Sequence, residues 1–162
     1  MAGPRLRDAA EVIGVLAVIG SLVFVGVEIR QNSAATRAAA TQELGRSWVD
    51  WNLATATREI QGALVEVARF DDPSEAPVID QRIAESYARS IFSSWSVSHY
   101  QYSVGVLDDP LWDGVVRDME AGVDTAHSFG RLLVWAWGRN RHLYNEDFTA
   151  LMGDLIATSA SR

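Results

Sequence analysis

The chain of 162 residues has no cysteine and no lysine, and only four prolines. Without cysteine there can be no disulfide, thiolate nucleophile, iron–sulfur cluster or cysteine-ligated zinc. Other signatures are missing too. No H-E-x-x-H or Glu-x-x-His occurs, which removes the zincin pattern and the usual ligand pattern of di-iron helical bundles. No G-x-S-x-G elbow, Walker loop or G-x-G-x-x-G is present, so neither a hydrolase nucleophile nor a nucleotide cradle has sequence support. Catalytic, cofactor-binding and metal-ligating residues are therefore assigned to none of the positions, and no cofactor is expected. The formal net charge is −7 and no long basic run exists. Non-specific nucleic-acid binding needs a basic surface to displace counterions, so nucleic acid is not an expected partner. All fourteen basic residues are arginine. With abundant alanine, glycine and valine, that composition fits a GC-rich bacterial genome.

What the chain does have is an uncharged apolar run from Val12 to Val27. As a helix it covers about 24 Å. Extended to Ala9–Ile29, with Glu11 and Glu28 reaching the headgroups at the rims, it covers about 30 Å, the thickness of a hydrocarbon core. The expectation is a membrane anchor over residues 1–30 and a helical domain over 31–162. Two alternatives compete. A buried core helix that is apolar all round needs protein on every side, for which the remaining residues give little material. A cleaved signal peptide has its basic start in Arg5 and Arg7, but the small-residue run Ala38–Ala39–Ala40 lies far beyond the apolar end. Ala10, Gly14, Ala17 and Ser21 recur at four, three and four, on one stripe. Small residues on a stripe let a second helix approach closely in a bilayer, within a homo-oligomer or with another membrane protein. Glycine and alanine are also common in membrane helices without such a contact. Arg5, Arg7 and the terminal amine precede the span and Arg30, Arg37 and Arg46 follow it, nearly a tie, with at most a slight lean towards a cytoplasmic domain at the bacterial inner membrane.

No proline occurs from Glu28 to Phe70, and good helix formers dominate there. This predicts a long helix leaving the span, with Asn32 and Gly45 as interruption points. Leu44, Trp48 and Trp51 share one face, and read as core because they lie far beyond the span. A short helix is predicted from Arg58 to Ala68, then a loop from Asp71 to Pro77. The next helix is predicted over Val78–Val106, where Ile79, Ile83, Tyr87, Ile91, Trp95, Tyr102 and Val106 form an apolar stripe. Helices follow at Leu111–Gly122, from Asp124 or Thr125 to Trp137, and at Glu146–Ser159 behind Asn145 as cap. No segment keeps a two-residue rhythm, so the fold class is all-α, a bundle of four to six helices continuing from the N-terminal helix.

Few side chains invite chemistry. His99 lies on or near the apolar stripe and reads first as a hydrogen-bonded core histidine, second as a ligand or proton relay. With Tyr100 and Tyr102 it marks where a bundle-core site would lie. Asp124 and His127 are three apart and could pair on a helix, or be a capping aspartate beside an exposed histidine. Arg139, Arg141 and His142 follow Trp135 and Trp137. Such a basic–aromatic turn can touch headgroups or an acidic partner, or simply complement a helix C-terminus.

The stretch EVIGVLAVIGSLVFVGVEIRQNSAATRAAATQEL resembles the start of a group of bacterial single-pass membrane proteins. They share an apolar helix, an I-R-Q-N-(S/T)-x-A-T-R-A continuation and a tryptophan-containing helix. WSVSHYQYSVGVLDDPLW and RNRHLYNEDF are similar to their later aromatic helix and their basic–aromatic turn. The resemblance implies a single-pass helical membrane protein and carries over no activity and no functional residue. The leading expectation is therefore a membrane-anchored domain acting through protein–protein contacts. The alternative is a membrane-bound enzyme or ligand sensor with its site in the bundle core.

Overall fold

The computed structural model describes residues 4–161, and the side chains of all of these except residues 4–12, 44, 48, 51, 52 and 54. The predicted roles of Ala10, Leu44, Trp48 and Trp51, and those of Arg5 and Arg7, fall on side chains outside that description. Among the described residues the fold is all-α, with no strand. Six helices run in order: α1 Pro4–Thr55, α2 Arg58–Val67, α3 Val78–Ser103, α4 Asp109–Gly122, α5 Ser128–Asn140 and α6 Glu146–Ala160, with short 3-10 turns at Pro73–Glu75 and Arg141–Leu143. The chain divides into two compact units, one up to Thr41 and one from Gln42.

The first unit is helix alone. Asn32 does not interrupt it, and α1 runs on through Gly45. Its hydroxyls bond back to the preceding turn: Ser21 Oγ donates to Val18 O at 2.9 Å and Thr36 Oγ1 to Asn32 O at 2.9 Å. The large apolar side chains from Ile13 to Ile29 all stand exposed.

The second unit builds its core from α2 to α6. Local chemistry fixes several of the starts. Thr57, Asp72, Asp108 and Asn145 each cap a helix or turn through a side-chain oxygen, so orphan N–H groups are satisfied. Pro110 sits in the first turn of α4, where its missing N–H costs nothing. The helix predicted to be capped by Asp124 or Thr125 starts at Ser128 behind His127 instead, because Asp124 accepts from the Ala126 N–H at 3.0 Å and closes a turn first. The helix predicted to reach Val106 ends at Ser103. Gly105 adopts φ 72°, and the N–H groups of Val106 and Leu107 bond back to Gln101 O.

The α3 face that meets the core keeps Ile91 and Trp95 of the predicted stripe and turns away from its two ends. Ala84, Ala88, Ile91, Phe92, Trp95 and Ser98 are buried, whereas Ile79 is exposed and Tyr102 lies at the surface. Alanine at 84 and 88 holds the close-packed line, because it lets neighbouring helices approach more closely than isoleucine would. Trp95 sits at the centre. Its Nε1–H donates to Asp118 Oδ2 at 2.8 Å, and its ring edge occupies the space where a Cβ on Gly122 would stand. Phe92 lies tilted against its ring at 5.9 Å between centroids and in turn meets Trp137 and Tyr144 edge-on, and these two stack on each other and meet Phe148, with centroids 5.2 to 6.3 Å apart. Such aromatic pairs each add about 0.5–1.5 kcal/mol beyond burial.

At Gly130, in the first turn of α5, the backbone of Asp124 fills the position of any Cβ. Gly130→Ala is expected to destabilise the domain by at least ~1–3 kcal/mol, the usual cost of overpacking. Gly153 faces open space within α6, so Gly153→Ala is expected to stabilise by ~0.5–1 kcal/mol. Thermal unfolding followed by near-ultraviolet circular dichroism of the detergent-solubilised chain checks both signs.

Candidate functional site

The three residues marking the bundle-core site do not converge. The His99 ring lies between Trp112 and Phe148, at 5.7 and 5.8 Å between centroids. Its Nδ1 is buried and has no hydrogen-bond partner among the described residues. The core packing expected of His99 is therefore present without a hydrogen bond at Nδ1. Tyr100 points outward and is 61% exposed. Tyr102 leans along α4, stacked on Trp112 with centroids 4.7 Å apart and planes 8° apart, and its hydroxyl donates to Asp109 Oδ1 at 3.4 Å. The negative charge of Asp109 raises the Tyr102 phenol above its ordinary value of 10.0, with smaller contributions from partial desolvation, the hydrogen bond and the charge of Asp113.

The basic cluster is also split. Arg139 turns back to the fold: its Nε lies 3.5 Å from Glu85 Oε2, and its guanidinium carbon stands 5.3 Å from the Trp135 ring centroid. Buried Asn140 donates to Glu85 Oε1 and to Ala136 O, both at 2.9 Å. Glu85, which has Arg89 four residues on along its own helix, thus ties α3 to α5. Arg141 and His142 remain exposed on the following 3-10 turn, beside a shallow depression of about 460 Å³ that Tyr144 and Glu146 also line.

Asp124 and His127 do pair, Oδ2 to Nδ1 at 3.3 Å, in the turn ahead of α5 and not on a helix. The histidine side chain is mostly exposed, as befits a surface contact of small worth. Asp124 also lines an open cleft of about 680 Å³ with Arg117, Glu120, Thr125 and Leu155. Two further polar groups of that cleft are engaged within the fold: Thr158 Oγ1 donates to Asp154 O at 2.8 Å and Ser159 Oγ to Val123 O at 3.1 Å. Neither cavity is lined by His99, Tyr100 or Tyr102. Among the described residues, no three His, Asp or Glu side chains stand together as a metal site would require.

On α1, Gly14, Ala17 and Ser21 are exposed, and nothing lies near the missing Cβ of Gly14. The Trp95–Asp118 and Glu85–Asn140 bonds escaped sequence reasoning. They join residues 23 and 55 positions apart, and no local spacing rule reports such pairs. No protein-family model matches the chain, and no curated protein or solved structure is detectably similar to it. The fold and site together define a small helical domain preceded by one helix long and apolar enough to cross a membrane.

Asp109→Asn is expected to bring the Tyr102 titration back down towards 10.0, read as the phenol carbon shift by NMR against Tyr102→Phe. The sign follows from linkage. A raised folded-state value favours the neutral phenol, so its contribution to stability is present below the unfolded value and is lost as pH rises through the folded one. The two proteins should therefore diverge in pH dependence above about pH 10 in this respect.

Proposed function

We propose that this chain is a single-pass protein of a bacterial inner membrane, held by α1, whose helical domain acts through contacts with other proteins. The observation that carries the reading is the state of α1. Its most apolar window is 0% buried, and the helix is long enough to span. Exposed apolar surface on every face of a helix is costly in water and favourable in lipid. The arginine-only basic composition supports a bacterial source, and the near-even basic count on the two sides of the span leans at most slightly towards a cytoplasmic domain. Contact, not catalysis, is supported by the dispersal of the polar candidates over separate surfaces.

The small-residue stripe is the first contact surface to test. The chain has no cysteine of its own, so single cysteines report cleanly. In native membranes oxidised with copper–phenanthroline, Ser21→Cys is expected to give disulfide-linked adducts, and Ile19→Cys, on the opposite side of the helix, is expected to give about tenfold fewer. Gly14→Leu should suppress the Ser21→Cys adduct by blocking close approach. Equal adducts at both positions would remove the stripe. Adducts at neither would remove the contact reading for α1.

A further inference from the structure

Arg117 and Glu120 are three apart on α4, and both line the open cleft of about 680 Å³. That spacing lets an arginine and a glutamate meet on one helix face. Here they stay apart: neither forms an ion pair or a side-chain hydrogen bond with a described residue. Both residues are exposed, so each is open to a ligand. The walls around them divide by chemistry. The last turns of α4 and α6 border the cleft, through Ala121 and through Thr158 to Ala160, and a helix C-terminus carries negative partial charge. The hydroxyl hydrogens of Thr158 and Ser159 are spent on Asp154 O and Val123 O, which leaves their oxygens only lone pairs to offer. Asp124 adds a carboxylate that already accepts from the Ala126 N–H. Arg117 is thus the one charged donor among the described lining residues, and Leu155 with three alanines supplies the apolar wall.

The geometry points to a binding site for a free amino acid with an aliphatic side chain. The ligand's carboxylate meets the Arg117 guanidinium, its ammonium meets the Glu120 carboxylate and the acceptors at the two helix ends, and its side chain lies against Leu155. Charge selects this class. A simple anion would face Glu120, Asp124 and two negative helix ends, and a simple cation would leave Arg117 unmatched beside it. A zwitterion matches both charges that α4 leaves unpaired. The cleft's volume lies within the range of small-ligand sites, about 300–1,000 Å³. Such a site goes beyond the contact reading above and does not rest on it.

The test titrates the detergent-solubilised full chain with three probes while the amide NMR signals of Thr125 and Ser159 are followed. The probes are L-leucine, leucinamide, which lacks the carboxylate, and 4-methylpentanoate, which lacks the ammonium. L-Leucine is expected to shift both signals saturably. Each analogue is expected to bind at least about tenfold more weakly, the loss of one charged hydrogen-bonded pair. Arg117→Met should weaken L-leucine by a similar factor without weakening leucinamide. Glu120→Gln should weaken L-leucine without weakening 4-methylpentanoate. Both positions are exposed on α4, and circular dichroism of the variants separates loss of binding from loss of fold. No saturable shift with L-leucine would overturn the site. So would analogues that bind as tightly as L-leucine, or folded variants that lose no affinity for it. The Ser21→Cys adducts do not depend on this cleft, so the contact reading stands or fails separately.

Discussion

The rest of the structure depends on one constraint: the large apolar side chains from Ile13 to Ile29 stand exposed, and such surface is costly in water. Hydrophobic burial is the dominant favourable force in folding, and a contiguous apolar surface of this size marks a lipid or protein interface. Because α1 contributes none of that segment to a core, the remaining helices must close around a core of their own. That leaves α2 to α6 with a small domain's problem, a high ratio of surface to volume.

The domain answers with close approach and large rings. Gly122 admits the edge of Trp95, Gly130 admits the Asp124 backbone, and Ala84 and Ala88 keep the α3 core face flat. Into that space go Phe92, Trp95, Trp137 and Phe148, all buried. Polar ties then fix which helix meets which. Asp118 holds the Trp95 indole, and Glu85 holds Asn140 and Arg139. Removing one partner of such a pair leaves a buried donor or acceptor unsatisfied, at about 1–3 kcal/mol, so these bonds specify the arrangement more than they strengthen it.

Helix existence was legible in the residues, because punctuation is local. Asn145 before Glu146, Asp108 before Pro110 and the Asp71–Pro77 loop all state their roles within a few positions. Rotation of a helix about its axis was not. A stripe drawn through the largest side chains of α3 finds Ile91 and Trp95 in the core but misses Ala84, Ala88 and Ser98 beside them, because close packing also selects small residues and periodicity counts large ones. Helix ends shifted for the same kind of reason. Gly105 stops α3 through a positive φ, and the Asp124 turn delays α5. The candidate residues were legible as types and not as groups. Arg139 looked like part of a basic patch until Glu85, distant in sequence, claimed it.

Alkaline carbonate extraction of membranes from cells producing the full chain tests the central claim most directly. Carbonate strips proteins held by surface contacts and leaves spanning helices in the bilayer. The account predicts that the protein stays in the membrane pellet, and that replacing Val18 and Phe24 with arginine releases it by charging the middle of the span. Release of the unmodified protein into the supernatant, with its domain still folded, would contradict it.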